Sequence, residues 1–179
     1  PVPVSTDKTS PILAARAGAI MPLSHFGEMM GPGFGGSLSY GKEGMFFRGL
    51  GAGIEGGCYY LTGKDSMDSE NQKTDRGFFV PVQGYCGYRF DLPMNFSAGP
   101  FVSAGLAYLT MIYTYRDRTT FQVRDRTTDD IDPIVNGGVF VHYKIRGSFI
   151  VSFRCLYGYM VGSEGGMYIV TDLGVLYHL

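Results

Sequence analysis

The stretch Asp172-Leu173-Gly174-Val175-Leu176-Tyr177-His178-Leu179 closes the chain and governs how the rest is read. Traced back to Met167, the alternation puts Met167, Ile169, Thr171, Leu173, Val175, Tyr177 and Leu179 on one face. Tyr168, Val170, Asp172, Gly174, Leu176 and His178 fall on the other. Period two marks a β-strand with unlike faces, because successive side chains point to opposite sides of a sheet. One face here is almost wholly apolar and the other is mixed. That is the pattern of a strand that closes a barrel in lipid.

Seven more segments alternate in the same way. They span about 12–21, 34–41, 46–61, 78–90, 96–115, 134–145 and 148–160, with ends uncertain by about two to four residues. In the first, Leu13, Ala15, Ala17, Ala19 and Met21 oppose Arg16 and Gly18. In the third, Leu50, Ala52, Ile54, Cys58 and Tyr60 oppose Gly49, Gly51, Gly53, Glu55 and Gly57. In the seventh, Phe149, Val151, Phe153, Cys155, Tyr157 and Tyr159 oppose Ser152, Arg154 and Gly158. The sequence predicts one all-β domain over 1–179, an eight-stranded antiparallel up-and-down transmembrane barrel. Residues 1–10 form a polar N-terminal extension that reads as a mature start without a lipid anchor.

Composition narrows the classes. Glycine is 27 of 179 residues, about double the usual share, with no G-X-Y period. Tyr and Phe number 13 each, which suits aromatic girdles at the membrane edges. A net charge of −1 leaves no basic footprint for nucleic acid. No apolar run reaches the roughly 20 residues of a membrane helix. A membrane protein with such strands must then be a closed barrel, since an open sheet edge cannot face hydrocarbon. Cys58, Cys86 and Cys155 are odd in number and lack C-x-x-C spacing, so neither a zinc site nor a disulfide framework is expected. All three fall on the apolar faces.

Connections alternate in length. Short turns follow strands two, four and six (Lys42-Glu43-Gly44, Asp91-Leu92-Pro93-Met94, Arg146-Gly147), and longer loops follow strands one, three and five. Segments 64–76 and 116–132 hold 16 of the 31 Asp, Glu, Lys and Arg residues. Lipid excludes such charges, so a membrane barrel places them in its loops. With both termini on the short-turn side, the termini are expected in the periplasm and the long loops outside.

The chain's ending resembles the C-terminal assembly signal of bacterial outer-membrane barrels at Gly174, Tyr177 and Leu179. Leu179 stands where those proteins most often have Phe. Met21-Pro22-Leu23-Ser24-His25-Phe26-Gly27, followed by Gly31-Pro32-Gly33-Phe34-Gly35-Gly36, is similar to the first hairpin of the small outer-membrane β-barrel-domain family. Phe101-Val102-Ser103-Ala104-Gly105-Leu106 is similar to its fifth strand. That family includes OmpX- and OmpA-like eight-stranded barrels. The resemblance implies the fold, a bacterial outer membrane, contact with its lipids, and passage through barrel-assembly machinery. It implies no activity, because function does not follow from fold.

Three groups of residues could act. Inward faces gather Arg16, Glu55, Arg89, Lys144, Arg154 and Asp172, with Gln83, Asn136 and His142. An eight-stranded interior is just wide enough for its side chains, and charges there must pair. Glu55 and Asp172 are expected to bridge to Arg16 and Arg154, as a static polar plug or a gated narrow pore. Inward glycines leave room for bulky neighbours such as Tyr85. The second group lies in the loop after strand five, where Arg116-Asp117-Arg118-Thr119-Thr120 repeats as Arg124-Asp125-Arg126-Thr127-Thr128 around Phe121-Gln122-Val123. This predicts either a hairpin with Arg–Asp cross-strand pairs or a docking surface built on Arg116, Arg118, Phe121, Arg124 and Arg126. Asp129-Asp130-Ile131-Asp132 offers no fixed metal geometry. The third group is Ser24-His25, adjacent residues that on a strand face opposite ways, so no Ser–His catalytic pair forms.

The sequence reading is a non-enzymatic outer-membrane protein without cofactor or metal, recognising through its outer loops. One alternative is an accessory subunit of a larger envelope assembly, docked through Ala15, Ala17, Ala19 and Gly56. A lipid-modifying enzyme is the other.

Overall fold

The structure is a computed structural model describing residues 11–44, 49–64, 72–116, 123–162 and 166–179. Its elements in chain order are β1 (Pro11–Leu23), α1 (Ser24–Met29), β2 (Met30–Glu43), β3 (Leu50–Gly63), β4 (Gln72–Tyr88), β5 (Phe90–Asp91), β6 (Phe96–Arg116), β7 (Val123–Arg146), β8 (Phe149–Met160) and β9 (Gly166–His178). β5 prolongs β4 past Arg89 and pairs with the start of β6. Counted together they make one strand, and the barrel has eight. Each strand pairs antiparallel with its neighbours in the order β4-β3-β2-β1-β9-β8-β7-β6, and β4–β6 pairing closes the sheet. The first and last strands meet in an unbroken register from Ile12↔His178 to Leu23↔Met167. Closure matters because lipid offers no partner for an unpaired backbone group.

The outer surface is apolar where it meets the membrane. Leu38, Ile54, Val82, Leu106, Val139 and Leu173 are all exposed along the middle of the wall. Aromatic rings bracket them. On the short-turn side Tyr88–Phe90, Phe96–Tyr143 and Phe149–Tyr177 touch at centroid distances of 4.9, 4.8 and 5.0 Å. On the long-loop side Phe34–Tyr60 and Tyr60–Phe78 touch at 5.7 and 5.6 Å. Two such girdles are where amphipathic rings settle at the two membrane interfaces. All three cysteines face outward and none is disulfide-bonded.

The structure differs from the sequence reading in four places. β7 begins at Val123, not near Ile134, and pairs with β6 out to Arg116. The charged repeat is therefore partly strand, since strand-to-strand hydrogen bonding continues beyond the membrane. The segment after β1 forms the short helix α1, with Phe26 buried and turned into the barrel mouth. Lys144 keeps the inward face, opposite the buried Ile150, but lies at the short-turn end of β7 and is exposed there instead of joining the lumen charges. The lumen is not polar throughout. Its long-loop half is filled by Ile20, Phe26, Met30, Tyr59, Leu61, Phe79, Leu109, Met111, Ile134 and Met160, all buried. The polar extension 1–10 lies outside the described residues.

Inward glycines serve the packing as expected at Gly41 and Gly53, where a Cβ would collide with the Tyr85 hydroxyl. Gly147, at φ +59°, begins the two-residue turn into β8, where positive φ suits the twist of a hairpin.

Val139 sits on the outer face midway between Val135, which lies opposite Tyr159, and the girdle residue Tyr143. Val139→Arg is expected to destabilise the folded barrel by about 2–4 kcal/mol, the depth-dependent cost of a cation on the lipid face. Urea titration of refolded protein in lipid vesicles measures it, and an unchanged midpoint would mean that this face does not meet hydrocarbon.

Candidate functional site

The described lumen has three layers. The middle one is a polar belt to which all eight strands contribute. Arg154 on β8 is its centre. Its Nη1 and Nη2 donate to the two oxygens of Glu55 on β3 at 2.7 and 2.8 Å. Its Nε and Nη2 donate to Asp172 Oδ2 on β9 at 3.0 and 2.6 Å. The flat guanidinium fork thus spans two carboxylates at once, which a lysine could not do. Its carbon lies 5.0 Å from the Phe101 ring centroid.

Arg16 on β1 completes the ionic group. Its Nη1 donates to Glu55 at 3.1 Å and to Ser39 on β2 at 2.9 Å. Its Nε approaches Asp172 at 3.8 Å. Two cations and two carboxylates balance, with side chains 8% exposed or less, so no net charge is left in the layer. The expected partners therefore lie together.

Neutral groups extend the belt around the wall. Gln83 on β4 donates to Glu55 at 3.2 Å, and its own oxygen accepts from Ser103 on β6 at 3.1 Å and Asn136 on β7 at 2.7 Å. Tyr168 on β9 donates to Asn136 Oδ1 at 2.7 Å. Gly158 makes that bond feasible, because a Cβ there would strike both the Tyr168 ring and Asn136. Ser39, Ser103 and Tyr168 were not singled out in the sequence, although their inward position follows from period two.

On the short-turn side of the belt lies a cavity of about 60 Å³ lined by Arg16, Ser39, Tyr85, Arg89, His142 and Ser152 among others. That is room for a few water molecules. Arg89 belongs to this mouth and not to the belt. It pairs with Glu43 and, at 3.1 Å, with Asp91. Its separation corrects the expectation that it joins the central network, and the reason is position, since it ends β4 where the wall opens. On the long-loop side the apolar layer closes the lumen. Phe79 packs against Tyr168, Tyr59 and Phe26 at 5.2, 6.4 and 6.4 Å.

The other predicted residues are dispersed. Gly174 faces inward opposite Arg16, and Tyr177 faces lipid opposite Leu13. Leu179 lies just past β9 with its N–H on Pro11 O at 2.9 Å. Arg118 and Phe121 lie outside the described residues. Arg116 and Arg124 lie on the backbone of the β6–β7 extension, opposite Val123 and Tyr115. Arg126 is exposed and faces Tyr113 across the pair. The register sets Thr114 opposite Asp125 and Tyr113 opposite Arg126, so the repeat's arginines and aspartates do not face one another there. Instead the Thr114 hydroxyl donates to Asp125 at 3.1 Å and also contacts Asp75. On α1, His25 Nδ1 lies 3.1 Å from Glu28, not on Ser24. Among the described residues no His, Cys, Asp and Glu group is placed to hold a metal.

Arg154→Ala would strand two buried carboxylates. It is expected to cost about 3–5 kcal/mol in folding stability. Planar bilayers holding the variant are expected to stay silent, because the apolar layer still closes the lumen. A stable open channel would show that the belt alone is the seal.

No family model matches the sequence, and no curated protein sequence does. Solved structures match the fold. A major outer membrane protein from Thermus thermophilus aligns with TM-score 0.60 at 15% identity, over 95% of this chain and 100% of that one. Neisserial surface protein A aligns at 0.56 and 16%, over 94% and 96%. The outer membrane protease OmpT from Escherichia coli aligns at 0.51 and 8%, over 97% and 98%. At these identities the likeness is one of fold. By its closed eight-stranded wall, apolar exterior and paired girdles, this chain has the fold of the small outer-membrane β-barrels.

Proposed function

We propose that this chain is a non-enzymatic protein of a bacterial outer membrane that recognises partners outside the cell through its long-loop side, with both termini in the periplasm. One observation carries the reading. β4, β6 and β7 continue past the rim as a three-stranded sheet, with Gln72↔Tyr115 and Arg116↔Val123 near its tip. β8 stops at Met160, opposite Ile134. β7 thus runs beyond its neighbour from Asp132 to Val123, on the order of 30 Å along the strand. The extension carries Asp75, Arg76, Thr114, Asp125, Arg126 and Asp129, all solvent-facing polar residues. A hydrogen-bonded sheet of mixed charge offers a surface for binding, and a wall sealed by two lumen layers is a poor conduit. His25 is paired with Glu28 and not with Ser24, so the lipid-modifying alternative gains nothing from that pair. Fold alone does not decide the non-enzymatic reading, since one structural neighbour is a protease.

A second reading is favoured by a different feature. Ala15, Gly36, Gly56 and Cys58 leave a shallow apolar depression of about 480 Å³ on the outer wall of β1–β4. Small residues let another backbone come close in a membrane. In that reading the chain is an accessory subunit of a larger envelope assembly.

An epitope placed within 117–122 is expected to label on intact cells, and one at Gly147 only after permeabilisation. The reverse pattern would overturn the orientation. Trimming the hairpin back to Thr110 and Asp129 is expected to abolish adhesion of cells displaying the barrel to immobilised extracellular proteins and polysaccharides. Unchanged adhesion would remove the surface role. Extraction in mild detergent separates the two readings: a particle of barrel-plus-micelle size supports the first, and a stoichiometric protein partner the second.

A further inference from the structure

Resting on the surface-recognition reading, a class of partner follows from one edge of β7. From Val123 to Asp132, β7 is paired on one side by β6, and no described strand pairs its other side. In an antiparallel ladder, each residue sends its N–H and C=O to the same side, and successive residues alternate. Pro133 O accepts from Val161 N at 2.8 Å, on the β8 side. Asp125, Thr127, Asp129 and Ile131 therefore turn their backbone groups toward that same, open side. The Ile131 N–H agrees, because it donates to the side chain of Asp130 at 2.8 Å and not to another strand.

Those four residues also carry the outward-facing side chains of the edge. Asp125 and Asp129 are held in place by β6, through the hydroxyls of Thr114 and Thr110. Asp75 on β4 joins them through Thr114. Ile131 is 63% exposed beside them. Arg76 lies on β4, with β6 between it and the edge. A long strand edge is a template for pairing, and natural proteins protect such edges unless they are used. Among the described residues the protection of the four open backbone positions is slight, one aspartate over one N–H.

We propose that this edge takes up an extended basic peptide as an added strand. Backbone bonds form with Asp125, Thr127, Asp129 and Ile131. Lysine or arginine side chains stand at two outward positions four residues apart, opposite Asp125 and Asp129. An apolar side chain stands two residues further, opposite Ile131. Main-chain pairing supplies affinity in strand addition, and alternate side chains supply specificity. Opposite charges facing across a pair favour it, and like charges oppose it. A second copy of this edge fits less well, because each copy brings the carboxylates of Asp75, Asp125 and Asp129 on the same face.

The test uses the full chain in zwitterionic nanodiscs and a pair of ten-residue Thr/Val peptides. One has Lys at two outward positions four apart, and the other has Glu there. Binding is read by fluorescence anisotropy, and amide exchange is followed at Asp125, Thr127 and Asp129. The Lys peptide is expected to bind and to slow exchange at those three amides, while the Glu peptide is not. Asp125→Lys with Asp129→Lys is expected to weaken the Lys peptide at least tenfold and to admit the Glu peptide. Thr127→Pro removes an N–H on the open side, as an edge strand tolerates, and is expected to weaken whichever peptide binds. Absence of binding, binding indifferent to the charge reversal, or binding without protection of those amides overturns the proposal. If trimming the hairpin abolishes cell adhesion while the Lys peptide fails, the edge assignment falls and the surface reading stands. If trimming leaves adhesion intact, the surface reading itself falls.

Discussion

The arginine at position 154 is held between a carboxylate on the neighbouring strand β9 and one on β3 across the lumen, and the interior of this barrel is organised around that contact. A charge in so narrow a lumen must be neutralised where it stands, because the cost of burying it alone exceeds the stability of most domains. Arg154 meets that demand with four hydrogen bonds to Glu55 and Asp172. Arg16 balances the remaining charge and ties in Ser39. Once Glu55 is placed, Gln83 has an acceptor, and through it Ser103, Asn136 and Tyr168 find partners. A change at Arg154 is therefore felt by groups on the opposite wall.

The same pressure sorts the rest of the molecule by depth. Outside, apolar side chains cover the middle of the wall and rings mark its two borders. Inside, the layers run from a small cavity of mixed lining at the turn end, through the belt, to an apolar plug under α1. Phe26 belongs to that plug, which gives the short helix its place: a helix of six residues has little stability of its own, and burial of one ring holds it against β9. Tight filling from belt to loop-side mouth leaves the sheet beyond the rim as the place where the proposed recognition would occur.

The strand extension and the proposed binding edge have one physical origin. A strand that continues past the membrane keeps its ladder on the side where a neighbour continues with it. It loses the ladder on the side where the neighbour stops. β4, β6 and β7 continue together, so the sheet stays ordered. β8 stops early and no described strand takes its place, so the described edge of β7 presents backbone donors and acceptors on that side. Such an edge is a functional surface or a hazard, and the carboxylates of Asp125 and Asp129 bear on both, since charge deters indiscriminate pairing while selecting a basic partner.

The period of two in each segment was enough to say which side chains face lipid and which face inward. That relation is local, set by the pleat of a single strand. It placed Arg16, Glu55, Arg154 and Asp172 inside and the three cysteines outside. Alternating turn lengths were enough to put the charged segments at one end. Which inward residues meet is not a local property. Glu55 and Arg154 are 99 residues apart in the chain, and their contact depends on the stagger of every strand pair between them. Arg89 reads like the other inward arginines yet ends at the mouth, because its height in the wall is fixed by register. The apolar inward run of Ile20, Phe79, Leu109, Met111 and Ile134 was visible as period two, but its gathering into one plug appears only when eight strands are aligned. The hairpin reading of the charged repeat anticipated that β7 would extend, but not its register, which sets Thr114 and not an arginine opposite Asp125. The Arg- and Asp-rich start of β7 has the composition of a loop, and only the hydrogen bonds of β6 beside it make it a strand.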